Sequence, residues 1–206
     1  MKRRGLFITF EGPEGSGKTT HSRLLAEFLR KKGFKVLRTR EPGGVKISEK
    51  IRDILLDPEN KSMDGVCEML LYMAARAQIV KEQILPALRQ GKIVICDRFI
   101  DATIAYQGYA GGIDIGVIKN IGRLVTKGVR QDLTFLLDID PAKGLKRAGK
   151  ARDRIERKSL AYHRKVRNGY LAIARKEPSR VKVLSAIGEI EDTQDQIRKI
   201  ALRHVV

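Results

Sequence analysis

The octapeptide Gly12-Pro13-Glu14-Gly15-Ser16-Gly17-Lys18-Thr19 has the G-x-x-x-x-G-K-[ST] spacing of a phosphate-binding loop. The residue types explain the chemistry. Glycines let consecutive backbone N–H groups turn toward one anion, a helix starting at the loop adds partial positive charge, and Lys18 brings a full charge to the β- and γ-phosphates. The Thr19 hydroxyl suits Mg²⁺, and Thr20 completes the expected nucleotide-binding set. A second candidate is Val94-Ile95-Cys96-Asp97-Arg98-Phe99. Here an acid at the carboxyl end of a strand can hold Mg²⁺ through water, and the next residue can face an acceptor phosphate. Such a pairing moves phosphoryl groups with cations rather than with a nucleophilic side chain. Accordingly, His21, His163 and His204 stand in no motif.

Positioning these groups requires a scaffold, and the hydrophobic pattern supplies one. Short β-branched or aromatic runs read as buried strands at Leu6 to Phe10, Lys35 to Arg38, Ile93 to Cys96, Leu133 to Ile139 and Val181 to Leu184. Helical patterns lie between them: Lys18 to Lys32, Ser48 to Leu56, Gly65 to Gln90, Ile115 to Lys127, Pro141 to Ala148, Ser159 to Lys176, and from Thr193 onward. Gly33 reads as the left-handed cap of the first helix. Strand and helix in alternation predict a mainly parallel sheet covered on both faces, with ligands at the carboxyl ends of the strands.

The 206 residues suffice for one well-buried core, so residues 1–206 are expected to form one domain. No apolar run approaches the ~18 residues of a membrane span, and the basic start lacks a signal-peptide cleavage pattern, so a cytoplasmic protein is expected. The formal charge of +18 is spread along the chain. It suits a nucleic-acid binder, a membrane-surface binder or an enzyme for anionic substrates. No nucleic-acid module is recognisable, and neither nucleic acid nor membrane is expected as a partner. Cys67 and Cys96 have no metal-ligand spacing and read as small core residues.

Taken together, Thr39-Arg40-Glu41-Pro42-Gly43-Gly44, Asp97-Arg98-Phe99, Ala105-Tyr106-Gln107-Gly108, Leu145-Lys146-Arg147-Ala148 and Asp153-Arg154-Ile155-Glu156 resemble the thymidylate kinase family in order and approximate spacing. The resemblance covers almost the whole chain. It implies an α/β P-loop nucleoside monophosphate kinase fold, with a five-stranded parallel sheet flanked by helices and a mobile lid at about 147–156. It implies ATP as donor, Mg²⁺ as cofactor, thymidine monophosphate as acceptor, and a homodimer.

Carried over by position, Tyr72 stacks on the thymine ring and Arg76 hydrogen-bonds its O4; positions i and i+4 share one helix face. Thr103 and Gln107 contact the base edge, and Tyr106 packs beneath the deoxyribose. Glu41, Arg52 and Arg98 surround the sugar hydroxyl and the acceptor phosphate. Phe99 replaces a more usual Tyr and Ala102 a more usual Ser. Thr19 and Asp97 hold the metal, and Lys18 and Arg98 act in catalysis. Positions 13–16 of the phosphate loop carry no cation, so the resemblance moves the catalytic arginine into the lid, where Arg147, Arg152 and Arg154 are the candidates, Arg152 the first choice, and Arg147 has an alternative place along the adenine.

Overall fold

A computed structural model describes residues 5–149 and 153–205 of the chain. Five strands, β1 (Phe7–Glu11), β2 (Val36–Arg40), β3 (Ile93–Asp97), β4 (Leu133–Asp138) and β5 (Val181–Ser185), form one parallel sheet in the order β2-β3-β1-β4-β5. β1 is central, paired with β3 on one side and β4 on the other, so the crossovers diverge on either side of its carboxyl end. That is where a doubly wound sheet opens a crevice.

Both faces of the sheet are buried, as the continuous apolar runs require. Ile8 and Phe10 of β1 pack with Leu25, Ala26 and Leu29 of α1 (Lys18–Lys31) and with Ile197 and Ala201 of α9 (Ile190–Val205). The opposite face meets α3 (Gly65–Ile79) and α8 (Leu160–Lys176): Phe7, Val94 and Cys96 pack near Ile79, and Leu136 near Val166 and Tyr170. Gly33 has φ 87°, as its predicted role as a left-handed stop demands. Cys96 is buried as expected, but Cys67 is exposed, because it falls on the outer side of α3. α2 (Lys46–Leu56) lies beside α3.

Two helical stretches depart from the sequence expectation. The helix expected over Gly65 to Gln90 is three pieces: α3, a wide π-helical turn at Val80–Ile84, and α4 (Leu85–Arg89). Pro86 explains the break, since it has no N–H to give to the preceding turn and its ring needs room there. Between β3 and α6 (Ile115–Val125), where no element was expected, lie α5 (Ile100–Thr103) and a second π-helical stretch at Ile104–Ala110. Its seven residues carry no helical apolar period, and tertiary packing holds it instead. A Cβ on Gly169 of α8 would lie 2.8 Å from Tyr109 Cβ, so the absent side chain lets the two segments touch.

A still closer approach joins the phosphate loop to α7 (Pro141–Ala148), the helix leading to residue 149. A Cβ on Gly15 would lie 2.0 Å from the Gly144 carbonyl oxygen, and a Cβ on Gly144 2.2 Å from the Glu14 carbonyl oxygen. Both obstacles are backbone and cannot rotate away. Gly144→Ala is therefore expected to lower unfolding stability by ~1–3 kcal/mol, read as the midpoint of a urea melt; an unchanged midpoint would show that α7 rides freely on the loop.

Candidate active site

At the carboxyl edge of the sheet a cleft of about 440 Å³ opens. Its floor is the turn from β1 into α1, where Gly12, Gly15 and Gly17 adopt φ of 142°, 65° and 86°, conformations that only glycine takes without strain. Glu14, Gly15, Gly17, Lys18, Thr19 and Thr20 line the cleft. Gly12, Pro13 and Ser16 stand behind that surface and support Lys18: its Nζ donates to the carbonyls of Gly12 at 3.1 Å and Pro13 at 2.8 Å, and to Ser16 Oγ at 3.5 Å. Burial, and then the neighbouring Arg98, lower the Lys18 pKa to about 8. Thr19 Oγ1 donates to Asp97 Oδ2 at 2.6 Å. This pair of hard oxygens beside the phosphate loop fits Mg²⁺, which takes few protein ligands and shares the rest with phosphate and water.

Asp97 ends β3 and the chain turns sharply, with Arg98 at φ 68°. The turn is held from beneath by Glu11, whose Oε1 accepts the Phe99 N–H at 2.7 Å and whose Oε2 accepts from the Tyr170 hydroxyl at 2.9 Å. Burial, reinforced by Asp101, raises the Glu11 carboxyl to about 8. Phe99 keeps the packing expected of a ring, buried edge-on against Phe7. Arg98 Nη2 donates to both carboxylate oxygens of Glu14, at 2.9 and 2.8 Å, and the guanidinium carbon lies 5.0 Å from the Tyr106 ring centre. Burial alone would raise Glu14, but Arg98 and Lys18 together hold it at about 2. The Tyr106 hydroxyl donates to the same carboxylate at 2.6 Å. Glu14, a loop residue that the family resemblance sets near the substrate sugar and metal, thus joins the phosphate loop to Arg98 and Tyr106.

The other end of the cleft is built on α3 and the π-helical stretch. Tyr72 is half-buried and Arg76 is 2% exposed. Arg76 Nε donates to Glu41 at 2.7 Å, Nη1 to Thr103 Oγ1 at 3.0 Å and Nη2 to the Phe99 carbonyl at 3.0 Å. Burial raises the Glu41 carboxyl against the pull of Arg76. Arg52 Nη1 donates to the Pro42 carbonyl at 2.9 Å. All of Glu41, Arg52, Tyr72, Arg76, Thr103, Tyr106 and Gln107 line the same cleft as the phosphate loop, as do Asp97, Arg98, Ala102 and Arg147. Arg147 Nη1 donates to the Ala186 carbonyl after β5 at 2.8 Å.

A sequence profile described as thymidylate kinase matches residues 10–197. The chain is 51% identical over 199 residues to the thymidylate kinase of Syntrophotalea carbinolica, covering 93% of this chain and 92% of that one. It is 47% identical to that of Symbiobacterium thermophilum over 196 residues, covering 95% and 92%. The crystal structure of a thymidylate kinase from Ehrlichia chaffeensis superimposes with a TM-score of 0.81 at 38% identity, covering 97% of this chain and 99% of that one. The chain belongs to the thymidylate kinase family. Its fold is that of this family, a parallel α/β sheet carrying a phosphate loop.

Within this thymidylate kinase fold, one expected catalytic residue stands apart from the cleft. Arg154 does not line it, whereas its neighbours Asp153, Ile155 and Glu156 do. It turns into the body of the protein, 7% exposed, where Nη1 pairs with Glu68 Oε2 at 2.7 Å and Nε donates to the Leu55 carbonyl at 2.8 Å. Its own N–H donates to the Leu56 carbonyl at 3.0 Å. These contacts tie the far end of the expected lid to α2 and α3. Arg152 lies outside the described residues.

Sequence reasoning passed over Glu11 and Glu68. A signal existed for each: Glu11 follows a fully apolar strand, and Glu68, Tyr72 and Arg76 are spaced by four residues along one face of α3. Removing one partner of a buried pair strands the other, so Arg154→Ala is expected to lower unfolding stability by ~3 kcal/mol. Urea melts check it, and a loss below ~1 kcal/mol would place Arg154 among exposed charges.

Proposed function

We infer that the protein transfers the γ-phosphoryl group of ATP to thymidine monophosphate, giving thymidine diphosphate in the route to thymidine triphosphate. The observation that carries this reading is the convergence in one cleft of a phosphate loop and an aromatic-and-arginine base pocket, with Arg98 between them. Family membership supports the same donor, metal and acceptor.

Transfer between two polyanions needs alignment and charge neutralisation more than covalent chemistry. The loop amides and Lys18 hold the β- and γ-phosphates of ATP. Bound at Thr19 and Asp97, Mg²⁺ supplies further neutralising charge between donor and acceptor. Tyr72 stacks on thymine, while Arg76, Thr103 and Gln107 read its edge. Tyr106, tied by its hydroxyl to Glu14, packs beneath the deoxyribose and leaves no space for a 2′-hydroxyl. Glu41 and Arg52 flank the sugar. Arg98 exchanges part of its bond to Glu14 for the acceptor phosphate. Arg152 is the catalytic lid cation, an assignment favoured by the lack of a cation at positions 13–16 and by the engagement of Arg154 with Glu68. Arg147 lies along the adenine.

We read residues 1–206 as one catalytic domain, working in the cytoplasm as a homodimer. α3 packs against both α2 and α6, and these helices leave Ile47, Ile54, Val66, Leu70, Val117 and Leu124 46–78% exposed, apolar side chains suited to covering by a second copy. Sedimentation should give about twice the 23.2 kDa chain mass; a species at the chain mass at working concentration would remove the dimer.

The reaction is tested by coupling ADP formation to each nucleoside monophosphate in turn. Thymidine monophosphate is expected to exceed every other acceptor in kcat/KM by ~10²-fold or more, and preference for any other would overturn the reading. In the same assay Arg152→Ala should lower kcat by ~10²-fold while both substrates' dissociation constants stay near wild type. Retained kcat would pass the cationic role to another residue.

A further inference from the structure

Glu68 takes no part in the transfer just described, and yet its carboxylate, 3% exposed, is the meeting point of three elements. Oε1 accepts from Gln107 Nε2, on the π-helical stretch, at 2.8 Å. Oε2 accepts from Arg154 Nη1, on the segment before α8, at 2.7 Å. Lys158 Nζ reaches both oxygens, at 3.2 and 3.1 Å. Burial alone would raise the Glu68 pKa, but the Gln107 bond and the two cations outweigh it and hold the group below the usual carboxylate range. Glu68 is thus an ionised acceptor with no proton to donate.

That matters for Gln107, because a side-chain amide has a donor end and an acceptor end, and its neighbours decide which faces where. With the reverse orientation, the amide oxygen would stand against a buried carboxylate, acceptor against acceptor. The nitrogen is therefore committed to Glu68, and the oxygen Oε1 is the end left for the cleft that Gln107 lines. Pyrimidine rings differ at just this kind of contact: N3 of thymine carries a hydrogen, whereas N3 of cytosine is a bare acceptor.

We propose that Glu68 is a specificity-determining positioning residue: by holding the Gln107 amide nitrogen, it presents Oε1 to the base and selects a pyrimidine whose N3 bears a hydrogen over one whose N3 does not. The inference rests on the acceptor reading above and adds a residue that never touches the substrate. In Glu68→Gln, the new amide must keep its oxygen on Arg154 and turn its nitrogen to Gln107. Gln107 then flips to accept, and its own nitrogen, a donor, faces the base.

The experiment measures dissociation constants of thymidine and deoxycytidine monophosphates for wild type, Glu68→Gln and Lys158→Met. Glu68→Gln is expected to narrow the thymidine preference by ~10-fold or more. Lys158→Met, which removes a cation and keeps the acceptor, is expected to leave the ratio unchanged. If Glu68→Gln weakens both ligands in proportion, Glu68 is structural only and the proposal is overturned; so is it if Lys158→Met shifts the ratio as far. Urea melts establish that the variants fold. Should Glu68→Gln fail to do so, Gln107→Leu decides: loss of the preference supports the acceptor at that position, and an unchanged preference overturns it. A wild type that binds deoxycytidine monophosphate better would instead sink the proposed acceptor, and this inference with it.

Discussion

The ion pair between Arg98 Nη2 and both carboxylate oxygens of Glu14 is the contact on which the cleft depends. Arg98 leaves the end of β3 and Glu14 sits in the loop after β1, so the pair ties two neighbouring strands together where the sheet opens. Parallel strands alone leave that opening undefined, because their ladder ends with the last residue of each strand. The pair also holds charge. A guanidinium alone beside Lys18 would lower the lysine's pKa further, and the Glu14 carboxylate offsets that repulsion until phosphates arrive.

The same device recurs at two further arginines. Arg76 rests on Glu41 and Arg154 on Glu68, as Arg98 does on Glu14, with Glu11 bracing the turn that carries Arg98. Although the chain carries a formal charge of +18, these three cations are largely withdrawn from solvent and individually countered. Such pairing gives little net stability, since both charges are desolvated, but it fixes rotamers that would otherwise search many conformations. The cleft thus combines a strong field with little freedom, the condition for electrostatic preorganisation.

Irregular backbone supplies the remaining precision. The π-helical stretch Ile104–Ala110 bears Tyr106 and Gln107, which meet Glu14 and Glu68 from the same short segment. An ordinary helix would place adjacent residues about 100° apart around its axis, and the wider turn changes that angle. Close backbone approaches at Gly15 and Gly144 set how near the loop and α7 can come, and Gly169 lets α8 meet the Tyr109 side chain. Side chains at these positions would hold the layers apart and loosen every contact described.

The sequence alone determined the five strands, the phosphate loop, the end of α1 at Gly33 and the family, because each is local: an apolar period, a run of glycines, a spacing between motifs. The pocket residues Tyr72, Arg76, Thr103 and Gln107 were legible through the resemblance, and they do line one cleft. Only the tertiary structure decided what those residues bind in turn. The spacing of Glu68 with Tyr72 and Arg76 marks its helix face but names no partner, and nothing local distinguishes Arg154 from any arginine in a basic loop; they become a buried pair because α3 and the segment before α8 meet across 86 positions of sequence. The same holds for Ile104–Ala110, which shows no helical apolar period of its own and is held where α8 packs against it. Local patterns fixed where the chemistry sits, and long-range contacts fixed which way each polar group points, since orientation depends on a partner that no neighbouring residue reveals.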